Sequence, residues 1–194
     1  MFKRRIKLTI LQRARDFLWP KMGWVRSLKY MVKRTVRLSD SSHKIALGLA
    51  FGASISFTPL VGTHMMQAGV LAFLFRGNLL AAAVGTVVGN PWTFPFMWLA
   101  AISLGSWLFG LFGLPADIYL PKEMSLSVWW ELITKEPLRI FLPWFLGGYL
   151  CALLSFPPLY FLFFYLVRGA KLARRKARQS KLYKQAKDMT GQDK

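Results

Sequence analysis

From Ser42 to Pro115 the chain runs for more than seventy residues without one Asp or Glu, and its only strong charges there are Lys44 and Arg76. The stretch is mostly Ala, Leu, Val, Phe, Met and Gly, broken at Thr58-Pro59-Leu60-Val61-Gly62 and at Asn90-Pro91-Trp92-Thr93. A soluble domain of 194 residues has little room for so long an apolar run. In a bilayer, helices broken at depth are tolerated where protein or a water-filled cavity surrounds the break. The expected fold is therefore an all-α membrane protein. It has broken, re-entrant helices, about two full transmembrane crossings and basic amphipathic interfacial helices at the termini.

The charges are segregated along the chain. Residues 1–44 hold 13 Lys/Arg against Asp16 and Asp40, residues 45–167 hold four of each sign, and residues 168–194 hold ten Lys/Arg against two acids. A neutral apolar middle between basic ends predicts both termini on the cytoplasmic side of a bacterial inner membrane, with an even number of crossings. Three parts follow: 1–39, basic amphipathic helices at the interface; 40–167, the membrane domain; and 168–194, a basic cytoplasmic tail. Basic segments beside membrane spans are expected from topology and anionic lipid alone. The expected partners are thus membrane lipids, preferentially anionic, together with a homo-oligomer or a membrane complex, and nucleic acid is disfavoured. Cys151 is the one cysteine, so there is no disulfide framework, and no cofactor is expected.

Within 1–39, Ile6, Ile10 and Phe17 share one helical face, and Trp24, Leu28, Val32 and Val36 share another. Ser39-Asp40-Ser41-Ser42 reads as a helix N-cap. Ile45–Phe57 and Leu60–Phe75 are each too short for a hydrocarbon core of about 30 Å. They read as the arms of a hairpin bent at Pro59 and Gly62 that returns Arg76 to the side it left. Leu79–Val88 is a further short arm, and Phe94–Phe112 is long enough for a crossing. Residues 115–139 read as an outer interfacial segment, and Ile140–Val167 as a return crossing interrupted by Pro143, Pro157 and Pro158. Pro59 and Met65 stand six apart, as do Pro91 and Met97, a weak internal echo. Paired broken segments point to a transporter-type site.

The run Ser42-His43-Lys44-Ile45-Ala46-Leu47-Gly48, the bend Phe57-Thr58-Pro59 with Gly62 and His64, Arg76-Gly77-Asn78, and Gly85-Thr86 followed by Asn90-Pro91-Trp92-Thr93 carry a resemblance. They resemble a widespread bacterial family of small membrane proteins defined only by a domain of unknown function. The corresponding family patterns are S-P-H-x-I-A-x-G, F-T-P-x-x-G-x-H, R-x-N and G-T-x-x-x-N-P-x-T. The likeness covers roughly residues 40–165 and departs at Ser42, where proline is frequent. It implies an inner-membrane protein and supplies no activity.

The apolar core has no carboxylate, and His43 and His64 are the only histidines, which argues against hydrolytic or metal chemistry. No enzyme is expected, and no metal site. The core offers donors instead: Thr58, His64 and Gln67 around the first break (Pro59, Gly62), Arg76 and Asn78 after it, and Asn90 and Thr93 flanking the second break at Pro91. Helix restarts after the breaks present N–H groups suited to an anion. The functional expectation is a small transporter or flippase that binds a phosphate-bearing lipid or similar anion at the paired bends. The alternative is a non-catalytic scaffold or assembly factor that binds lipid or a membrane complex. In that reading Gly48, Gly52, Gly62, Gly69, Gly85 and Gly89 serve close helix contacts.

Overall fold

The computed structural model describes residues 39–114 and 137–190; the expected helices within 1–38 and residues 115–136 of the expected interfacial segment 115–139 lie outside the described residues, while 137–139 open the last helix instead. Ser39–Lys194 forms one compact unit. Its described elements are α1 (Ser42–Ile55), α2 (His64–Leu74), α3 (Leu79–Gly85) continued by a 3-10 turn (Thr86–Val88), α4 (Phe94–Leu111) and α5 (Pro137–Thr190). Among the described residues there is no strand.

α1 starts where Ser41 Oγ accepts the Lys44 N–H, as the Ser-Asp-Ser-Ser run predicts. It is apolar all round, and such a helix must be enclosed. From Ile45 to Ile55 every residue but Leu47 is buried, with α2, α3 and α5 packed around it. α2 runs back along α1, so that the Asn78 N–H reaches the Lys44 carbonyl at 2.9 Å. α3 then repeats the direction of α1.

Glycine sets the closeness of these crossings. A Cβ on Gly48 would lie 2.3 Å from the Asn78 carbonyl oxygen, and one on Gly52 2.2 Å from that of Ala82. Gly85 faces the Leu49 carbonyl at 2.4 Å in the same sense. Gly48 and Gly52 are four apart, so both lie on the α3-facing side of α1, the small-xxx-small arrangement.

α4 packs on α5 and leads away from the α1–α3 group. Gly105 abuts the Pro143 backbone and Gly147 abuts Ala101 and Gly105, so the two helices cross antiparallel at their smallest residues. The next glycine on α5, Gly148, meets Phe57 and Thr58 of the first break. From there α5 runs antiparallel to α1: Phe156 stacks on Phe51 at 4.5 Å, and Tyr160 reaches His43. The three prolines do not end the helix, which is continuous from 137 to 190. Pro143 is fully buried, and its own carbonyl lies against Gly105 of α4.

Burial is inverted relative to a water-soluble bundle. α2 buries His64, Ala68 and Ala72, and α4 buries Met97, Ala101 and Gly105, each an i, i+4, i+8 line. Their large apolar residues face outward, with Phe73 74% and Phe96 77% exposed, alongside Met65, Met66, Leu99 and Trp107. α5 does the same, burying Pro143 and Ala152 while exposing Leu153, Leu154, Phe161 and Leu162. Two helices, Phe94–Leu111 and the Phe141–Tyr183 part of α5, are long and apolar enough to cross a membrane.

Candidate functional site

The seven polar residues singled out from the sequence fall into two groups at opposite ends of α1. Thr58, His64, Gln67, Asn90 and Thr93 lie at its C-terminal end; Arg76 and Asn78 lie at its N-terminal end beside Lys44. Fourteen helical residues separate the ends by about 20 Å.

At the C-terminal end the two breaks sit side by side. A Cβ on Gly89, just before the second break, would meet Ser56, just before the first, at 2.6 Å. Across the breaks the His64 and Phe94 rings stand 5.8 Å apart. The first break is a hydrogen-bonded turn, with the Val61 N–H on the Pro59 carbonyl at 2.8 Å and the Thr63 N–H on that of Leu60 at 3.1 Å. Thr58 is buried, and its hydroxyl bonds the Ile55 carbonyl at 2.9 Å. His64 Nε2 lies 3.0 Å from the Thr58 carbonyl, which can only accept, so that nitrogen carries the proton. Tyr149 of α5 donates to Gln67 Oε1 at 2.7 Å, Gln67 donates to Thr63 Oγ1 at 2.6 Å, and Thr63 donates to the Leu60 carbonyl at 2.8 Å. A relay of side chains thus ties α5 to the turn.

The second break is tight and self-sufficient. Asn90 Oδ1 accepts the N–H groups of Trp92 and Thr93 at 2.9 and 3.2 Å. Thr93 Oγ1 accepts the Asn90 N–H at 3.0 Å and donates to the Val88 carbonyl at 2.6 Å. This is a reciprocal cap with proline at the first position, in which an Asn-x-x-Thr pair performs the exchange of a capping box. It leaves the restart of α4 few donors for an anion, because Pro91 and Pro95 bring none and Asn90 takes the next two.

Beside the second break an open groove of about 520 Å³ is lined by Ala53, Phe57, Val88, Phe96, Met97 and Pro158, with Thr93 and Ser155 its polar members. Its apolar walls suit a hydrocarbon chain rather than a charged group.

At the other end Asp40 is the hub. Its carboxylate accepts from Asn78 Nδ2 at 2.5 Å, and its backbone carbonyl accepts from Lys171 of α5. Asn78 Oδ1 in turn caps α3 through the Ala81 N–H at 2.7 Å. Burial, with Arg175 nearby, lowers the Lys171 pKa, and Asp40 opposes that shift. His43 Nδ1 and the Tyr160 hydroxyl, 2.7 Å apart, add a second link between α1 and α5. Arg76 lies on the surface of this end with φ 54°. Sequence reasoning passed over Asp40 as part of a cap. Its signal was its isolation, as the last acid before an acid-free run that extends to Asp117. Among the described residues no group of three or more His, Cys, Asp and Glu is placed to hold a metal.

An all-helical unit with two helices of crossing length and broken helices between them is the class these features define. Residues 25–176 match the family described as an uncharacterized protein conserved in bacteria (DUF2062), and the chain belongs to it. No curated protein and no solved structure matches the chain.

Proposed function

We propose that this chain is a multi-pass protein of the bacterial inner membrane, with both termini cytoplasmic, that acts without catalysis as a lipid-binding scaffold. Membrane placement rests on the inverted burial: small residues inside, large apolar residues outside, on helices of crossing length. In water such a surface would cost about 25 cal/mol for each Å² of exposed apolar area. α1 and α2 then form a re-entrant hairpin, α3 and α4 a crossing broken at Asn90-Pro91, and α5 the return.

The observation that carries lipid binding is the groove beside the second break, which offers apolar walls and almost no polar group. One acyl chain occupies it, and the glycine crossings hold its walls fixed. The test is native mass spectrometry of retained lipid in Ala53→Phe and Ser155→Phe, which fill the groove. Loss of a defined lipid species in both variants supports the reading; retention equal to wild type overturns it.

A second reading, a small transporter or flippase of a phosphate-bearing lipid, is favoured by one observation, the side-by-side breaks. It requires headgroup movement in vesicles that falls when Asn90 or His64 is replaced in protein that still folds. Movement unchanged in both variants removes it.

A further inference from the structure

Four helices meet around Asp40, and cations outnumber it there. The Asn78 N–H bonds the Lys44 carbonyl at 2.9 Å, which brings Lys44 of α1 within two residues' length of Arg76. Lys171 of α5 reaches the Asp40 backbone carbonyl, and Arg174 and Arg175 lie close enough to act on its charge. These five cations gather round one carboxylate, which already accepts from Asn78. Lys44, Arg76, Arg174 and Arg175 are exposed. None of the four has an ion pair or a side-chain hydrogen bond among the described residues.

Arg76 adds a second, separate observation. Its φ of 54° is left-handed, a conformation that disfavours any residue with a Cβ, although a glycine stands next to it. Strain of this kind persists where the side chain at that place has work to do. The guanidinium does none of that work within the described protein, so its partner lies outside the chain.

Depth identifies the partner. The chain reverses between α2 and α3, so Arg76 goes no further toward the cytoplasm, and Lys44 stays beside it. In the same region α5 changes from apolar to basic, at Val167 and Arg168. On the membrane and lipid-binding reading above, on which this inference rests, that change marks the cytoplasmic headgroup layer. Lipid phosphates are the anions standing there. The length of α1, about 20 Å, is close to one leaflet with its headgroups, so the acyl groove at its far end falls near the midplane. A soluble polyanion would have to enter the headgroup layer to touch Lys44 and Arg76. Guanidinium forks take phosphate oxygens in pairs, and ammonium groups add point charge. We propose that Lys44, Arg76, Lys171, Arg174 and Arg175 form a site for the phosphate of an anionic phospholipid in the cytoplasmic leaflet.

The test places the full chain in nanodiscs of equal phosphatidylglycerol and phosphatidylcholine with matched acyl chains. Native mass spectrometry then reads the ratio of the two lipids retained. Arg76→Gln and Arg175→Gln are compared with Lys176→Gln, which removes the same charge one residue from Arg175 but outside the cluster around Lys171. Wild type is expected to favour phosphatidylglycerol, with the ratio falling about fivefold in each arginine variant and by less than about twofold in Lys176→Gln. An even ratio in wild type, an unchanged ratio in either arginine variant, or an equal fall in Lys176→Gln each overturns the site. So does inorganic phosphate that displaces phosphatidylglycerol as readily, mole for mole, as added phosphatidylglycerol does, since the occupant is then a free anion. Total retained lipid in Ala53→Phe reports on the groove alone. A total that falls there, beside a ratio indifferent to the arginines, sinks this inference and leaves the groove standing; the opposite pattern does the reverse.

Discussion

Arg76, rather than Gly77 beside it, takes the left-handed position that closes α2. Its φ is 54°, and the turn is the six-residue closure in which the Gly77 N–H bonds the Ala72 carbonyl at 2.6 Å and the Arg76 N–H bonds that of Phe73 at 3.2 Å. The same closure ends α4 with glycine at the left-handed place, Gly113 at φ 64°. At the end of α2 the glycine stands one residue later, where a Cβ would sit tightly, 3.2 Å from Leu47 and 3.3 Å from the Gly48 nitrogen.

Arg76→Gly therefore relieves strain that Arg76→Ala keeps. The glycine variant is expected to be more stable than the alanine variant by about 1 kcal/mol, read from thermal unfolding in detergent. Equal stability of the two would show that the left-handed position carries no cost.

Glycines that look alike in sequence part company in structure. Gly52→Ala drives a methyl into the Ala82 carbonyl and is expected to cost about 3 kcal/mol. Gly69 and Gly62 have nothing within 4 Å of an added Cβ. Gly69→Ala, within α2, is expected to be neutral or to stabilise by up to about 1 kcal/mol. Gly62 has φ 91°, so its role is backbone conformation rather than contact. Folded yield and unfolding temperature check both substitutions.

Asn90 and Thr93 cap each other, so their substitutions should not add. Each alanine variant is expected to lose about 1–2 kcal/mol, and the double variant clearly less than the sum, in a double-mutant cycle on unfolding. Strict additivity would mean the two residues act separately.

Asp40→Ala removes the carboxylate that accepts from Asn78 and leaves in place the Lys171 bond to the backbone carbonyl of residue 40. The expected cost is about 1–2 kcal/mol, with faster protease cleavage near residue 40. Cleavage at the wild-type rate would show that the hub does not fasten this end.

Much of the architecture was readable because chain reversals leave chemical marks. Pro59 with Gly62, and Asn90 with Pro91, announce the two breaks, and the absence of acids marks the apolar middle. The hairpin of α1 and α2 follows from arms too short to go further. Persistence of α5 through Pro143, Pro157 and Pro158 was not readable, because proline locally marks an interruption and the packing of Pro143 against Gly105 comes from another helix. Likewise no local pattern tells that Gly48 and Gly52 meet α3 while Gly69 meets nothing. The polar residues stand out in the sequence, but their division between the two ends of α1 depends on α2 reversing fully, a property of packing. Asn90 and Thr93 illustrate the remaining gap, since a break rich in polar side chains can consume them all within its own turn.

His43 and Tyr160 are 117 residues apart in the chain. A ribosome adding about 5–20 residues each second needs on the order of ten seconds to travel between them. During that interval α1 exists without α5, and its apolar sides wait for a wall that has not been made. Short helices cannot secure themselves alone in that time. The newborn protein therefore passes through a stage in which its most enclosed helix is its most vulnerable one, open to proteases and to pairing with strangers. A holdase or insertase that shelters α1 until residue 160 has emerged would decide how much of the protein survives its own synthesis.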